Sequence, residues 1–178
     1  MAMLVSEPVM RPVREWGLDP MYFSHVRLLA FDLLAVRPLP HMPGRFVRRG
    51  RPLRKVEVLG VVVSTDQKER YIRFTLDDGT ACVPCVLWMN HSRLQVSNPK
   101  RLELELQNEL TMSLMRQVKL GQPLRVQGRL TVFNNQIQIT VSSLQGERDP
   151  NAEVLHWMEC MRLASHCYDL KPPSQSNG

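Results

Sequence analysis

Five runs of strand character, with one helical run between the third and the fourth, constrain this chain more than any other feature of its 178 residues. The first, residues 53 to 63, is too rich in β-branched side chains for a good helix. It carries Gly60 near its middle and so predicts a strand that bends there. In the second, Ile72, Phe74 and Leu76 alternate with Tyr71, Arg73 and Thr75, the period of a strand with one buried face. Asp77-Asp78-Gly79-Thr80 then turns the chain, and residues 81 to 89 return as the hairpin partner. Leu102, Leu106, Leu110, Leu114 and Val118 stand at four-residue steps, which predicts a helix from Pro99 to Val118 facing a core and stopped by Gly121. Two further strands follow: Leu124, Val126, Leu130 and Val132 against Arg125, Gln127, Arg129 and Phe133, then Ile137, Ile139 and Val141 after an Asn134-Asn135 turn.

This order predicts a mainly β fold with flanking helices, a single OB-fold: a five-stranded Greek-key barrel with a helix between strands 3 and 4. Its first strand must serve both halves of the sheet, a natural task for the bend at Gly60. Alternation assigns Val58, Val62, Ile72, Phe74, Leu87, Val126, Leu130, Ile137 and Ile139 to the interior. Asp19-Pro20, Asn98-Pro99 and Asp149-Pro150 each place an Asx side chain at an N-cap and a proline at the first helical position. After the first of these, the apolar residues fit either a helix to about Val36 or a chain that turns extended at Arg27, and both readings stay open. The third opens a final helix to about His166. The expected organisation is a flexible N-terminus over residues 1 to 15, a barrel domain over 16 to 148, a terminal interaction helix over 149 to 170 and a disordered tail over 171 to 178.

Lys and Arg number 23 against 17 Asp and Glu, a formal charge of +6, which favours an anionic partner such as nucleic acid. Neither a membrane span nor a secretory signal is legible, so an intracellular, soluble chain with reduced thiols is expected. Residues 45 to 55 hold six basic side chains and no acid, and residues 110 to 146 hold four and no acid; both stretches are candidates to meet phosphate. On the strands, the outward face would show Tyr71, Arg73, Trp88, Arg125, Arg129 and Phe133, the mixture of rings and cations that single-stranded nucleic acid needs. The plainer alternative is a solvated arginine face with Trp88 packed under the helix. In the final helix Val154, Trp157, Met158, Met161 and Ser165 fall within an arc of roughly 100°. Such a stripe either folds back on its own barrel or meets a partner, and its Trp and Met content favours the partner.

No residue set points to catalysis. Cys82 and Cys85 sit three apart on a strand and so face opposite ways, and Leu163 interrupts the face shared by His156, Cys160 and Cys167, so neither a zinc site nor a redox motif is expected. Asp77-Asp78 before Gly79 reads as a turn, not a catalytic carboxylate pair. No metal, cofactor or enzymatic activity is expected.

Trp16-Gly17-Leu18-Asp19-Pro20, residues 56 to 60, Leu76-Asp77-Asp78-Gly79-Thr80, Cys85-Val86-Leu87-Trp88 and residues 147 to 153, in this order, resemble the Stn subunit family of the telomere-capping CST complex, in its short plant-like form. The family is akin to the middle subunit of replication protein A. The resemblance implies an OB barrel whose terminal helix, here through Val154, Trp157, Met158 and Met161, docks on a small OB-fold Ten subunit. A large Ctc subunit would complete the heterotrimer. It further implies binding of single-stranded telomeric DNA, assistance to polymerase alpha-primase in C-strand fill-in, and a place at nuclear chromosome ends. Fungal and vertebrate members carry winged-helix domains after the barrel that this sequence does not reach, so their functions are not carried over. A general single-stranded DNA-binding subunit, or an assembly adaptor without DNA contact, remains the alternative.

Overall fold

The computed structural model describes residues 12–89 and 100–170. Residues 1–11, the Asn98-Pro99 helix start, the Leu102 side chain and the tail over 171 to 178 lie outside the described residues.

Asp19 behaves as its sequence position predicts. Its carboxylate accepts from the Met21 amide, and Pro20 opens the one-turn helix α1 (Pro20–Phe23). The ambiguity that follows resolves into both structures in turn: a short strand β1 (His25–Arg27), then helix α2 (Ala30–Leu34). The reason lies in a neighbour distant in sequence, because the Asp78 carboxylate accepts from the Ala30 amide at 2.7 Å and caps α2. The breaker-rich loop leads into a small sheet, β2 (Arg37–Pro38), β3 (Phe46–Arg48) and β4 (Arg51–Leu53). Arg49 and Gly50, at φ 47° and 81°, make the tight turn between β3 and β4.

The long extended run divides at Arg54, and the strand proper is β5 (Lys55–Gln67). Its first half pairs with β8 (Pro123–Phe133) from Lys55 to Val61, and its second half with β6 (Tyr71–Asp77) from Val61 to Gln67. The switch falls beside Gly60, where an added Cβ would stand 2.8 Å from the Asp77 carbonyl oxygen, so the crossing needs a glycine. β7 (Cys82–Trp88) pairs with β6, and β9 (Gln136–Gly146) joins β8 through the Asn134-Asn135 turn, both residues at positive φ. A parallel contact, Cys85 beside Ile139 and Val86 beside Thr140, closes the five-stranded barrel. β1 adds a parallel strand outside it, against Lys55 to Glu57.

The predicted interior residues line the core, with Ile137 partly buried at its margin. The helix between strands, α3 (Lys100–Met115), corrects the expectation in two respects. It ends well before Gly121, and Leu106 and Leu110 are exposed, while Met115 and Val118 reach the core. Steps of four residues advance about 40° around a helix each time, so a run of leucines at that spacing winds off the buried face. The last helix, α4 (Ala152–Leu163), begins two residues after Pro150 and passes into a π-helical turn, Ala164–Tyr168. None of the helices among the described residues is long and apolar enough to cross a membrane.

Candidate nucleic-acid interface and terminal helix

Strand register builds the candidate site. Tyr71 opens β6 directly opposite Trp88 at the end of β7, and their rings lie 5.0 Å apart. Two residues along β6, on the same face, the Arg73 guanidinium sits 5.0 Å from the Tyr71 ring centroid and 4.4 Å from that of Phe133, which arrives from the end of β8. The cation is thus held between two aromatic faces. Trp88 and Phe133 remain 47% and 43% exposed, so ring surface is open for a base to stack upon. Arg129 is exposed on the same strand, four residues before Phe133.

Arg125 shares the outward parity of Phe133 but not its place. Eight residue steps of strand, about 26 Å, lead from one to the other on a curved barrel wall. Arg125 instead bonds Glu57 at 3.1 Å and Glu147 at 3.2 Å. Arg27 of β1 also reaches Glu57, at 2.9 Å, and pairs with Glu159 of α4. Burial opposes ionisation of Glu57, yet the Gln127 amide, Arg27 and Arg125 outweigh it and hold its carboxyl below the ordinary value. This network joins β1, β5 and β8 to α4. The basic stretch over 45 to 55 is likewise largely answered from within. Arg48 and Arg49 pair with Asp169, Arg51 forks onto Asp19, and Arg45 and Arg54 lie over the Tyr22 ring.

α4 rests on the barrel through Ala152, His156 and Cys160, one turn apart. Burial pushes the Cys160 thiol up to about 12, and its Sγ lies 3.4 Å from His156 Nε2. Burial, then the Arg125 charge, holds the His156 imidazole below its usual value. Cys82 is exposed and Cys85 buried, the opposite orientations expected of them. The predicted stripe divides: Val154, Met158 and Met161 are exposed, joined by Leu155, while Trp157 is half-buried. Its indole lies against Gly79, where a Cβ would come within 3.0 Å of the ring.

Glu57 escaped the reading of the sequence, as did the roles of His156 beneath α4 and of Asp78 as the cap of α2. A charge inside the apolar run Val56-Glu57-Val58 was the available sign of a buried ion network.

A closed barrel with stacking rings on one wall defines the class: an OB-fold nucleic-acid-binding domain. Residues 56–145, half of the chain, match the family of that description, "OB-fold nucleic acid binding domain". Over 150 residues the chain is 33% identical to CST complex subunit STN1 of Arabidopsis thaliana, a match covering 83% of this chain and 94% of that protein. The chain belongs to this STN1 family. It is 26% identical to CST complex subunit STN1 of Mus musculus over 166 residues, 86% of this chain but 44% of the mouse protein, so it spans less than half of that relative. In fold it is similar to the crystal structure of the S. pombe Stn1–Ten1 complex, at TM-score 0.61 and 19% identity, covering 80% of this chain and 92% of that one. It is similar as well to a replication protein A heterotrimer bound to single-stranded DNA, at TM-score 0.60 and 17% identity, covering 80% and 96%.

Proposed function

We propose that this chain is a non-enzymatic subunit of a telomere-capping heterotrimer at nuclear chromosome ends, binding single-stranded telomeric DNA and supporting C-strand fill-in by polymerase alpha-primase. The observation that carries the DNA-binding part is the Arg73 guanidinium between the Tyr71 and Phe133 rings beside an open Trp88. The cation meets phosphate while the rings accept bases of any sequence. Arg129 extends the charge along β8, whereas Arg125 acts within the protein, holding Glu57 and Glu147. Val154, Met158 and Met161 form the surface for a small OB-fold Ten subunit, with Trp157 setting the position of the helix, and a large Ctc subunit completes the assembly. A neighbour in fold, the S. pombe Stn1, was solved in complex with Ten1.

A general single-stranded DNA-binding role is favoured by one observation, the fold shared with a replication protein A heterotrimer. Competition between telomeric repeats and mixed-sequence DNA separates the two readings. An adaptor without DNA contact has no use for open rings. Replacing Arg73 and Trp88 together by alanine should weaken single-stranded DNA binding by the assembled complex at least tenfold, since one stacked base contributes roughly 1–3 kcal/mol. Binding equal to wild type across a salt series, or preference for duplex, would place the DNA elsewhere.

A further inference from the structure

The β8–β9 hairpin ends in the Asn134-Asn135 turn on one side and, on the other, at the pair Leu124 and Gly146. Beside that second end, the residues after α3, the approach to β8 and the exit from β9 enclose a cleft of about 670 Å³. Its lining side chains are all polar or charged, apart from Gly146. Arg116, Lys119 and Arg148 supply three cations, and Gln117, Gln122 and Gln145 supply three amides. The single carboxylate, Glu147, is already engaged by Arg125 at 3.2 Å and by the backbone amides of Arg148 and Asp149.

Other arginines of this chain, among them Arg27, Arg48, Arg51 and Arg125, face carboxylates. Arg116, Lys119 and Arg148 have no side-chain partner among the described residues. Three unanswered like charges around one cleft repel one another, and an anion seated between them relieves that repulsion. A protein partner would find no apolar anchor here, since the walls carry neither an aromatic nor an aliphatic side chain. Interfaces with nucleic acid are more polar and more cationic, as this one is.

We propose that this cleft is a second nucleic-acid site, one that grips the sugar-phosphate backbone of a single strand without reading its bases. It stands apart from the stacking face, because nine residue steps of β8, about 30 Å of strand, lead from Leu124 to Phe133. The proposal adds to the DNA binding inferred above and does not need the stacking face to be correct. The three cations contact backbone phosphates, and the Gln145 amide and the Nε2 of Gln117, whose Oε1 accepts from the Gly146 amide at 3.1 Å, hydrogen-bond to phosphate or sugar oxygens.

The test uses the full chain and two probes of about a dozen units each, within the span of an OB fold: an ordinary oligodeoxynucleotide and a baseless deoxyribose-phosphate oligomer. Replacing Arg116, Lys119 and Arg148 together by glutamine should weaken the baseless probe at least tenfold. The slope of log affinity against log salt should fall by about 2, at roughly 0.7 for each phosphate no longer neutralised. Arg73→Ala with Trp88→Ala should weaken the ordinary probe well beyond the baseless one, which loses a single phosphate contact and no stacked base. A control with Arg14, Arg37 and Arg162 changed to glutamine removes the same charge elsewhere and should bind both probes normally. Unchanged affinity for the baseless probe in the cleft variant, or an equal loss in the charge control, overturns the proposal. Protection of the cleft arginines by the small protein partner, with DNA affinity unaltered, also overturns it. An ordinary probe indifferent to the Arg73 and Trp88 changes would instead refute the stacking face, leaving the cleft result to stand by itself.

Discussion

Gly128 shows how a single atom can govern the barrel. An added Cβ would lie 2.4 Å from the Thr140 carbonyl oxygen and 2.6 Å from Ile139 Cγ2, and the backbone oxygen cannot turn away as a side chain could. Gly128→Ala should therefore lower stability by about 2–3 kcal/mol, seen as a reduced denaturant midpoint with little change in slope. Glu57 governs by charge. Its alanine variant would leave Arg27 and Arg125 facing each other across an emptied site, each retaining only its partner on Glu159 or Glu147. A loss of about 3 kcal/mol is expected from equilibrium unfolding. Because the folded-state pKa of Glu57 is depressed, its contribution is present above the ordinary carboxylate range and disappears as pH falls through the folded value. The acid-induced loss of stability of wild type should accordingly be shallower in Glu57→Gln. Tyr71, Arg73, Trp88 and Phe133 were all named from strand alternation, and the structure brings their side chains together. Arg125 was misplaced by the same rule, because parity states which side of a wall a residue occupies and not how far round the barrel it stands.

Among the elements, α4 packs on its barrel by a face outside the predicted stripe. Its Ala152, His156 and Cys160 face seals against the barrel, and its Val154, Met158 and Met161 face stays open. Trp157 lies between the two, so Trp157→Ala should cost helix docking as well as partner affinity. Met158→Glu is the cleaner probe. The side chain is 60% exposed, so the variant should keep its far-ultraviolet circular dichroism while losing the small OB partner by roughly thirtyfold, about 2 kcal/mol. The helix is also expected to loosen in acid. His156 is buried with its pKa depressed, so its docking is fully stable above about pH 6.5 and weakens as pH falls below that. Hydrogen exchange of α4 amides, corrected for intrinsic rates, should rise between about pH 7.5 and pH 5.5, and His156→Leu should flatten the rise.

Across the molecule, β1 and the β3–β4 hairpin clasp the last residues of the described chain. Arg48 and Arg49 hold Asp169, Arg51 bonds the Cys167 carbonyl at 2.6 Å, and Tyr168 accepts the Arg27 amide. The clasp keeps α4 on the surface with four large apolar side chains exposed, Val154, Leu155, Met158 and Met161. An open patch of that kind drives association, so the isolated chain should self-associate in sedimentation and become monodisperse with its partner or with Met158→Glu. The five barrel strands, the bend at Gly60, the interior residues and the rings of the β6–β7 hairpin were all written into the order of the amino acids. Those follow from period-two alternation and turn chemistry, which act between near neighbours. Which cations are answered was settled in three dimensions alone. Arg48 meets Asp169 across 121 positions and Arg125 meets Glu57 across 68, whereas Arg116 and Lys119, after α3, converge unpaired with Arg148, after β9. Charge pairing depends on distance in space, and no local pattern along the chain records it.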